Sequence, residues 1–288
     1  ADSARRIGTP RFYDARCAPP AMMELRAQAL ECLREPTPML KVAHVAMLAN
    51  AYENRQLSID AAMVFVEPEG LPGRPEAPEL VPPREVRNRG IGTPEGRAAL
   101  LHALAHIEFN AINLALDAVW RFAAMPDGFY GDWLNIASDE AYHFCLLKDR
   151  VEALGYEYGS FPAHNGLWEM AERTRGNLLA RMALVPRTLE ARGLDVTPGI
   201  RAKFKQIGDE DSANALDIIL RDEVRHVATG NAWYRWLCMR SGRDPRSAHD
   251  ELAEQFGMAL PHPPFNEEAR IAAGFLAEEL DAWRGPVG

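Results

Sequence analysis

The sequence predicts an all-α protein, and three observations carry that expectation. Apolar residues recur at helical spacing through four long segments of the central chain. Strand-like alternation is nearly absent. Capping residues, prolines and glycines fall at the segment ends. The 288 residues can bury a large core, and 47% hydrophobic with 25% charged residues is ordinary for a globular chain.

In chain order, residues 21–60 read as two helices, AMMELRAQALECLRE and MLKVAHVAMLANAYENRQL, broken by Pro36 and Pro38. Residues 67–94 hold seven prolines and predict an extended strap rather than a helix. Leu80 and Val81 are its candidate apolar anchors on the body. The first long helix starts at Thr93 as N-cap, with Pro94 in the first turn, and runs to about Ala124, where MPDG stops it. The second covers about 129–154 and ends at Gly155. The third covers about 167–192, with a kink expected at Pro186 and a stop at Gly193. The fourth begins after Thr197-Pro198, is interrupted near Gly208 and ends near Ser241-Gly242. Shorter helices near 245–256 and 265–283 close the chain. The organisation expected is an N-terminal helical extension and strap (1–92), a four-helix bundle (93–241) and a C-terminal helical cover (242–288).

Several classes are disfavoured at once. The net charge of −9 argues against general nucleic-acid binding. No uninterrupted apolar run approaches the roughly 18 residues of a membrane span. The opening ADSARRIGTPRFYDARC has no apolar signal core. The four cysteines (Cys17, Cys32, Cys145 and Cys238) are scattered and form no framework. Together these predict a cytoplasmic setting.

Two short stretches carry the chemistry. SDEAYH (138–143) and RDEVRH (221–226) both read Asp-Glu-x-x-His. With 25 Glu, 16 Asp and 8 His in the chain, Glu-x-x-His is expected roughly 0.7 times by chance, and the form preceded by Asp roughly 0.04 times. Both occurrences carry the Asp. Positions three apart share a helix face, so Glu140 points with His143 and Glu223 with His226, each pair on an otherwise apolar stripe. Acids on a core-facing stripe are costly unless paired or bound to a cation.

The other two helices each offer one acid on the corresponding stripe. Glu108 is the only carboxylate between Glu95 and Asp117, and Glu190 the only one between Glu172 and Asp195. Glu108 to Glu140 is 32 residues and Glu190 to Glu223 is 33. The chain thus writes Glu…Glu-x-x-His twice. Buried ion pairs and satisfied core histidines would account for these residues singly, but not for the matched intervals. One Glu from each of two helices plus Glu-x-x-His from each of the other two is the ligand set of a dinuclear carboxylate site in a bundle core. Oxygen and imidazole donors suit iron or manganese, and two divalent ions neutralise four carboxylates.

This pattern, over roughly residues 93–241, resembles the ferritin-like di-iron superfamily, which includes bacterioferritin, the ribonucleotide reductase small subunit, acyl desaturases and bacterial multicomponent monooxygenases. GTPEGRAALLHALAHIEFNAINLALD, FPAHNGLWEMAERT, LVPRTLEARGLDVTPG and IILRDEVRHV more closely resemble a bacterial family of ferritin-like proteins defined as a domain of unknown function. The resemblance implies a ferritin-like four-helix bundle holding two iron ions, with manganese or a manganese–iron pair also compatible. It implies that Asp139 and Asp222 hydrogen-bond ligand imidazoles, within or across the helix pair, and that Arg225 pairs with such an acid. It departs from the reductase pattern at Leu147, which stands where that pattern places a radical tyrosine. Tyr142 points about 100° away from His143 and reads as packing. His102 and His106 lie on a different face from Glu108 and read as core or supporting residues, as do His44 and His164.

The function expected is an oxidoreductase that reduces dioxygen at the metal pair and oxidises or hydroxylates a small organic substrate, supplied with electrons by a donor protein. Small neighbours of the ligands (Ala105, Ala111, Ala115, Ala183 and Gly230) would leave room for such a substrate. A ferroxidase or iron-storage protein and a non-catalytic metal-binding scaffold are the rival readings. The extensions at both ends argue against a storage cage and for a monomer or small homo-oligomer.

Overall fold

The computed structural model describes residues 22–87 and 89–284. Helix α1 (Leu25–Arg34) is capped by the Glu24 side chain, which accepts from the Ala27 amide at 2.6 Å. Helix α2 (Pro38–Glu53) follows the expected break at Pro36 and Pro38, with Pro38 in its first turn. A two-residue parallel pairing of β1 (Met23–Glu24) with β2 (Leu57–Ser58) ties the two ends of this unit together.

The proline-rich segment lies on the body as a strap. Its backbone bonds the Leu33 carbonyl from Gly73 N (2.9 Å) and forms a bridge in which Val81 N reaches Ala163 O (2.8 Å) and Ala163 N reaches Glu79 O (3.0 Å). The apolar anchors differ from those expected. Pro72 and Pro78 are buried, whereas Leu80 is exposed and contributes its backbone. A rigid ring loses little entropy on burial, so proline can anchor an extended segment. Lys41 is fully buried and gives its ammonium protons to Leu33 O (3.2 Å), Gly73 O (2.9 Å) and Asn113 Oδ1 (2.5 Å).

The bundle is built from α3 (Pro94–Arg121), α4 (Asp127–Ala153), a third helix in several pieces and α8 (Glu210–Ser241). Thr93 Oγ1 accepts from Gly96 N at 3.0 Å, which makes it the N-cap the sequence predicts. Asp209 caps α8 by accepting from Ser212 N, and Gly242 ends it at φ 65°, a left-handed position that favours glycine. Helix α3 is long and apolar enough to cross a membrane, but most of its surface is buried among its neighbours, as expected for a core helix.

The third helix departs most from expectation. Residues 166–173 form a separate short helix, α5 (Gly166–Arg173). The bundle helix proper starts at Asn177, whose side chain accepts from Ala180 N. It runs through α6 (Leu178–Leu184), a π-helical segment (Val185–Glu190) and α7 (Ala191–Gln206). Gly193 does not end it, and Pro198 lies inside it. The reasons lie elsewhere in the chain. Pro198 has no N–H for the Leu194 carbonyl, and Asn266 Nδ2 supplies one at 3.1 Å. Buried Leu194 and Ala191 pack with Val227, Ala269 and Phe275, which outweighs the roughly 1 kcal/mol helix cost of Gly193.

Pro186 likewise widens the helix into a π turn instead of breaking it. Thr188 Oγ1 donates to the Ala183 carbonyl at 2.8 Å, taking up one of the loosened backbone acceptors. The ring presses against α8 at Gly230, where an added Cβ would lie 2.4 Å from Pro186 Cβ. Gly230 therefore permits a close helix approach and does not open space for a substrate.

The C-terminal cover is α9 (Pro245–Gln255), α10 (Glu267–Ala272) and α11 (Ala277–Arg284). The single helix expected over 265–283 is split at Gly274, whose φ is 87°. Cys32, Cys145 and Cys238 are free thiols, and Cys17 lies outside the described residues.

Gly230→Ala should lower stability by about 1–3 kcal/mol, the usual cost of overpacking. A chemical-denaturation midpoint equal to that of the wild type would show that the α8–Pro186 contact is not tight.

Candidate metal centre

The bundle brings the acids of four helices to one buried place. Ligand-type atoms of Glu108 (α3), Glu140 and His143 (α4) and Glu223 (α8) all lie within 4.8 Å of one another. His226, one turn after Glu223, joins them, with Nδ1 2.9 Å from Glu140 Oε1 and 3.4 Å from Glu223 Oε1. His143 Nδ1 stands 3.4 Å from Glu140 Oε2 and 3.6 Å from Glu108 Oε2. The imidazole centroids are 5.7 Å apart. Glu140 therefore sits between both histidines and does not serve its own motif alone. Glu190, the last residue of the π segment, lies outside the tight group of four, yet Glu223, Glu140 and Glu108 all act on its charge. The residue keeps some accessible surface, while its carboxyl behaves as a buried group.

Around this cluster the two motifs support each other crosswise. His143 Nε2 pairs with Asp222 Oδ2 of the second motif at 3.2 Å, and His226 Nε2 with Asp139 Oδ2 of the first at 3.0 Å. Each carboxylate holds a proton on Nε2 and turns Nδ1 toward the glutamates. Arg225 donates to Asp139 at 2.8 Å and lies 3.6 Å from Asp222, linking the two supports. Sequence reasoning did not single out Arg221, which grips Asp222 with two bonds of 3.0 and 2.9 Å. Its position immediately before Asp222 in RDEVRH is the signal that could have found it.

The buried charges of the cluster perturb one another strongly. Burial, then the neighbouring Glu140 charge, pushes the Glu108 carboxyl up to about 8. Burial, with Glu223 and Glu140, pushes Glu190 well above the usual carboxylate range. Burial opposes charge on His143, but hydrogen bonds to Glu108 and Glu140 prevail and raise it to about 11. His226 is raised well above its ordinary value for the same kind of reason, led among the raising groups by Glu140. For Glu140, burial and Glu223 push upward, yet His226 and His143 hold it below the ordinary range. Asp222 falls to about 2 because Arg221 and His143 outweigh its burial. Protons thus offset part of the buried negative charge, a role open also to a divalent cation. His226 Nδ1 adds a geometric sign: it is buried and, despite its nearness to Glu140, is not aligned for a hydrogen bond with any described group. A buried ring nitrogen aimed among carboxylates, once it gives up its proton, is a donor suited to metal coordination.

Residues outside the cluster divide as follows. His106 bonds Tyr158 (2.9 Å) and Asn110 (3.0 Å), and His102 Nε2 accepts from Gly159 N (2.9 Å). Burial lowers these histidines to about 3 and about 4, so they are neutral core residues. His164 accepts locally from Gly166 N. Leu147 is fully buried, and Tyr142 is exposed rather than packed. Ala105, Ala111, Ala115 and Ala183 are buried in side-chain packing. A cavity of about 750 Å³ lies instead at α1 and α2, beside Cys32, His44 and Met47.

Fold and site together define an all-α bundle protein with a buried carboxylate–histidine cluster that could hold a metal. Residues 34–281 match the family described as "Protein of unknown function (DUF455)", and the chain belongs to that family. It is 48% identical over 224 residues to an uncharacterized protein of Haemophilus influenzae, covering 75% of this chain and 78% of that protein. No solved structure matches the chain significantly.

A pH dependence follows from the raised values. The fold keeps a proton on Glu108 up to about 8 and on His143 up to about 11, while the unfolded chain releases them near about 4.3 and 6.5. Between about pH 6.5 and 8 both groups are proton-bound chiefly in the folded state, so stability falls as pH rises. Calorimetry of the cation-free protein should show this decline, with a shallower slope in Glu108→Gln. A divalent cation replaces the same protons, so the stability it adds should grow with pH. A flat profile in the cation-free wild type would contradict the assigned charges.

Proposed function

We propose that this chain is a ferritin-like di-iron oxidoreductase that reduces dioxygen and uses it to oxidise a small organic substrate. The observation that carries the reading is Glu140, placed between the Nδ1 atoms of two histidines that are each fixed at Nε2 by the other motif's aspartate. Core imidazoles needed only for packing have no use for crosswise support that aims both Nδ1 atoms at shared carboxylates. The donor set is rich in oxygen, which favours iron or manganese over a thiolate-seeking metal.

Glu108, Glu140 and His143 would hold one ion, and Glu190, Glu223 and His226 the other. Bound as a ferrous pair, the ions supply electrons for dioxygen reduction. The chain's own part is to hold and release protons. His143 and His226 must lose their Nδ1 protons, and Glu108 and Glu190 their carboxyl protons, before they can bind metal. Asp139 and Asp222 retain the Nε2 protons and so keep the rings in one orientation. Burial of Glu108, Glu140, His143 and His226 limits water around the centre.

Anaerobic loading with ferrous iron should give about two ions per chain, and Glu140→Ala or His226→Ala should lose at least one by metal analysis. Full occupancy in both variants would sink the assignment. On exposure to air, one or two oxidation events per site fit an enzyme awaiting its substrate. Sustained mineralisation of excess iron in a shell-sized assembly would install the storage reading, and metal binding without dioxygen uptake the scaffold reading. With a leucine rather than a tyrosine at position 147, four residues after His143, electron paramagnetic resonance should show no persistent tyrosyl signal near the first motif.

A further inference from the structure

The π segment that ends in Glu190 is held from outside the bundle. Arg187, three residues before Glu190, is almost fully buried. One guanidinium nitrogen donates to Asn231 Oδ1 of α8 at 2.5 Å, and another to Glu279 Oε1 of α11. The guanidinium lies over Phe275 (4.7 Å), Tyr234 (5.2 Å) and Trp283 (5.7 Å), so aromatic faces close around it. Glu279 is itself fixed, because its Oε2 accepts from Leu276 N at 2.9 Å at the start of α11. Asn231 is fixed too, with Nδ2 donating to Ala273 O at 2.7 Å. On the segment's other flank, Pro186 abuts Gly230.

We propose that Arg187 and Glu279 are positioning residues for Glu190, so that the C-terminal helix α11 sets the affinity of the second metal position. This rests on the dinuclear reading above. A π turn has a wider register than the α turns on either side, and the same residues could close as an α turn with a different rotation. Such a shift would turn Glu190 relative to the cluster. The Arg187 fork joins α8, which carries Glu223 and His226, to α11, and so fixes the segment against the helix that holds the partner ligands. Glu190 is also the acid that lies outside the tight group of four, which makes its approach the one most dependent on its support. Arg187 acts through the backbone, and neither it nor Glu279 touches the cluster.

The test loads wild type, Glu279→Ala, Glu190→Ala and the double variant anaerobically with ferrous iron, and reads metal per chain together with cobalt(II) absorption as a report on geometry. Wild type reports on the dinuclear reading by itself: failure to take up about two ions ends that reading whatever the variants do. Given wild-type loading, Glu279→Ala should weaken the second ion roughly 10–100-fold, as loss of a supporting partner typically does, while the first remains bound. The double variant should bind no less metal than Glu190→Ala, because Glu279 acts through Glu190. Arg187→Lys and Glu279→Gln, which keep the buried volume, serve if the alanine variant does not fold, and each should show the same selective loss. Unchanged second-ion affinity in folded variants overturns the proposal. So does a further loss of metal when Glu190 is already absent, since that would mark general destabilisation.

Discussion

Carboxylates crowded in a low-dielectric core repel one another, and the arrangement of this protein follows from how that repulsion is relieved. Glu108, Glu140, Glu190 and Glu223 come from four segments and meet where water is scarce. Separate buried charges would be several kcal/mol too costly. The structure shares them instead: Glu140 faces two imidazoles, two other acids hold protons, and the histidines face two further aspartates. Charge then passes outward in steps from glutamate to histidine, to Asp139 or Asp222, and to the exposed Arg221 and Arg225. The arginines end this series in water, where their charge costs little.

The cluster was legible because side chains that share a helix face recur at a fixed spacing. Two Asp-Glu-x-x-His motifs and two solitary acids at matched intervals place six side chains before any packing is known, and the bundle brings Glu108, Glu140, His143, Glu223 and His226 into contact distance. The spacing says nothing about which imidazole each aspartate supports. Crosswise pairing depends on how α4 and α8 lie against each other, a relation that no local pattern encodes. The helix start at Thr93 and the stop at Gly242 were similarly readable, because a cap is satisfied within a few residues.

The third bundle helix was misread for the opposite reason. Proline and glycine are local breakers, but what rescues a helix from them can be remote. Asn266 gives Leu194 O the bond that Pro198 cannot, from 72 residues beyond Leu194 in sequence. Gly230, on another helix, vacates the space that Pro186 takes. Neither compensation leaves a mark near the breaker. The strap erred in a milder way: hydrophobicity pointed to Leu80, while the buried contacts are made by Pro72 and Pro78.

The crossed supports also change which positions count as neighbours. Asp139 stands four residues from His143 but serves His226, 87 residues on, and Asp222 serves His143 across 79. Among related chains, Asp139 should therefore vary in step with His226, and Asp222 with His143. An insertion or chimeric junction between the motifs would part each imidazole from its aspartate even if both motifs were copied intact. Heredity must treat the two motifs as one unit, although the chain writes them far apart.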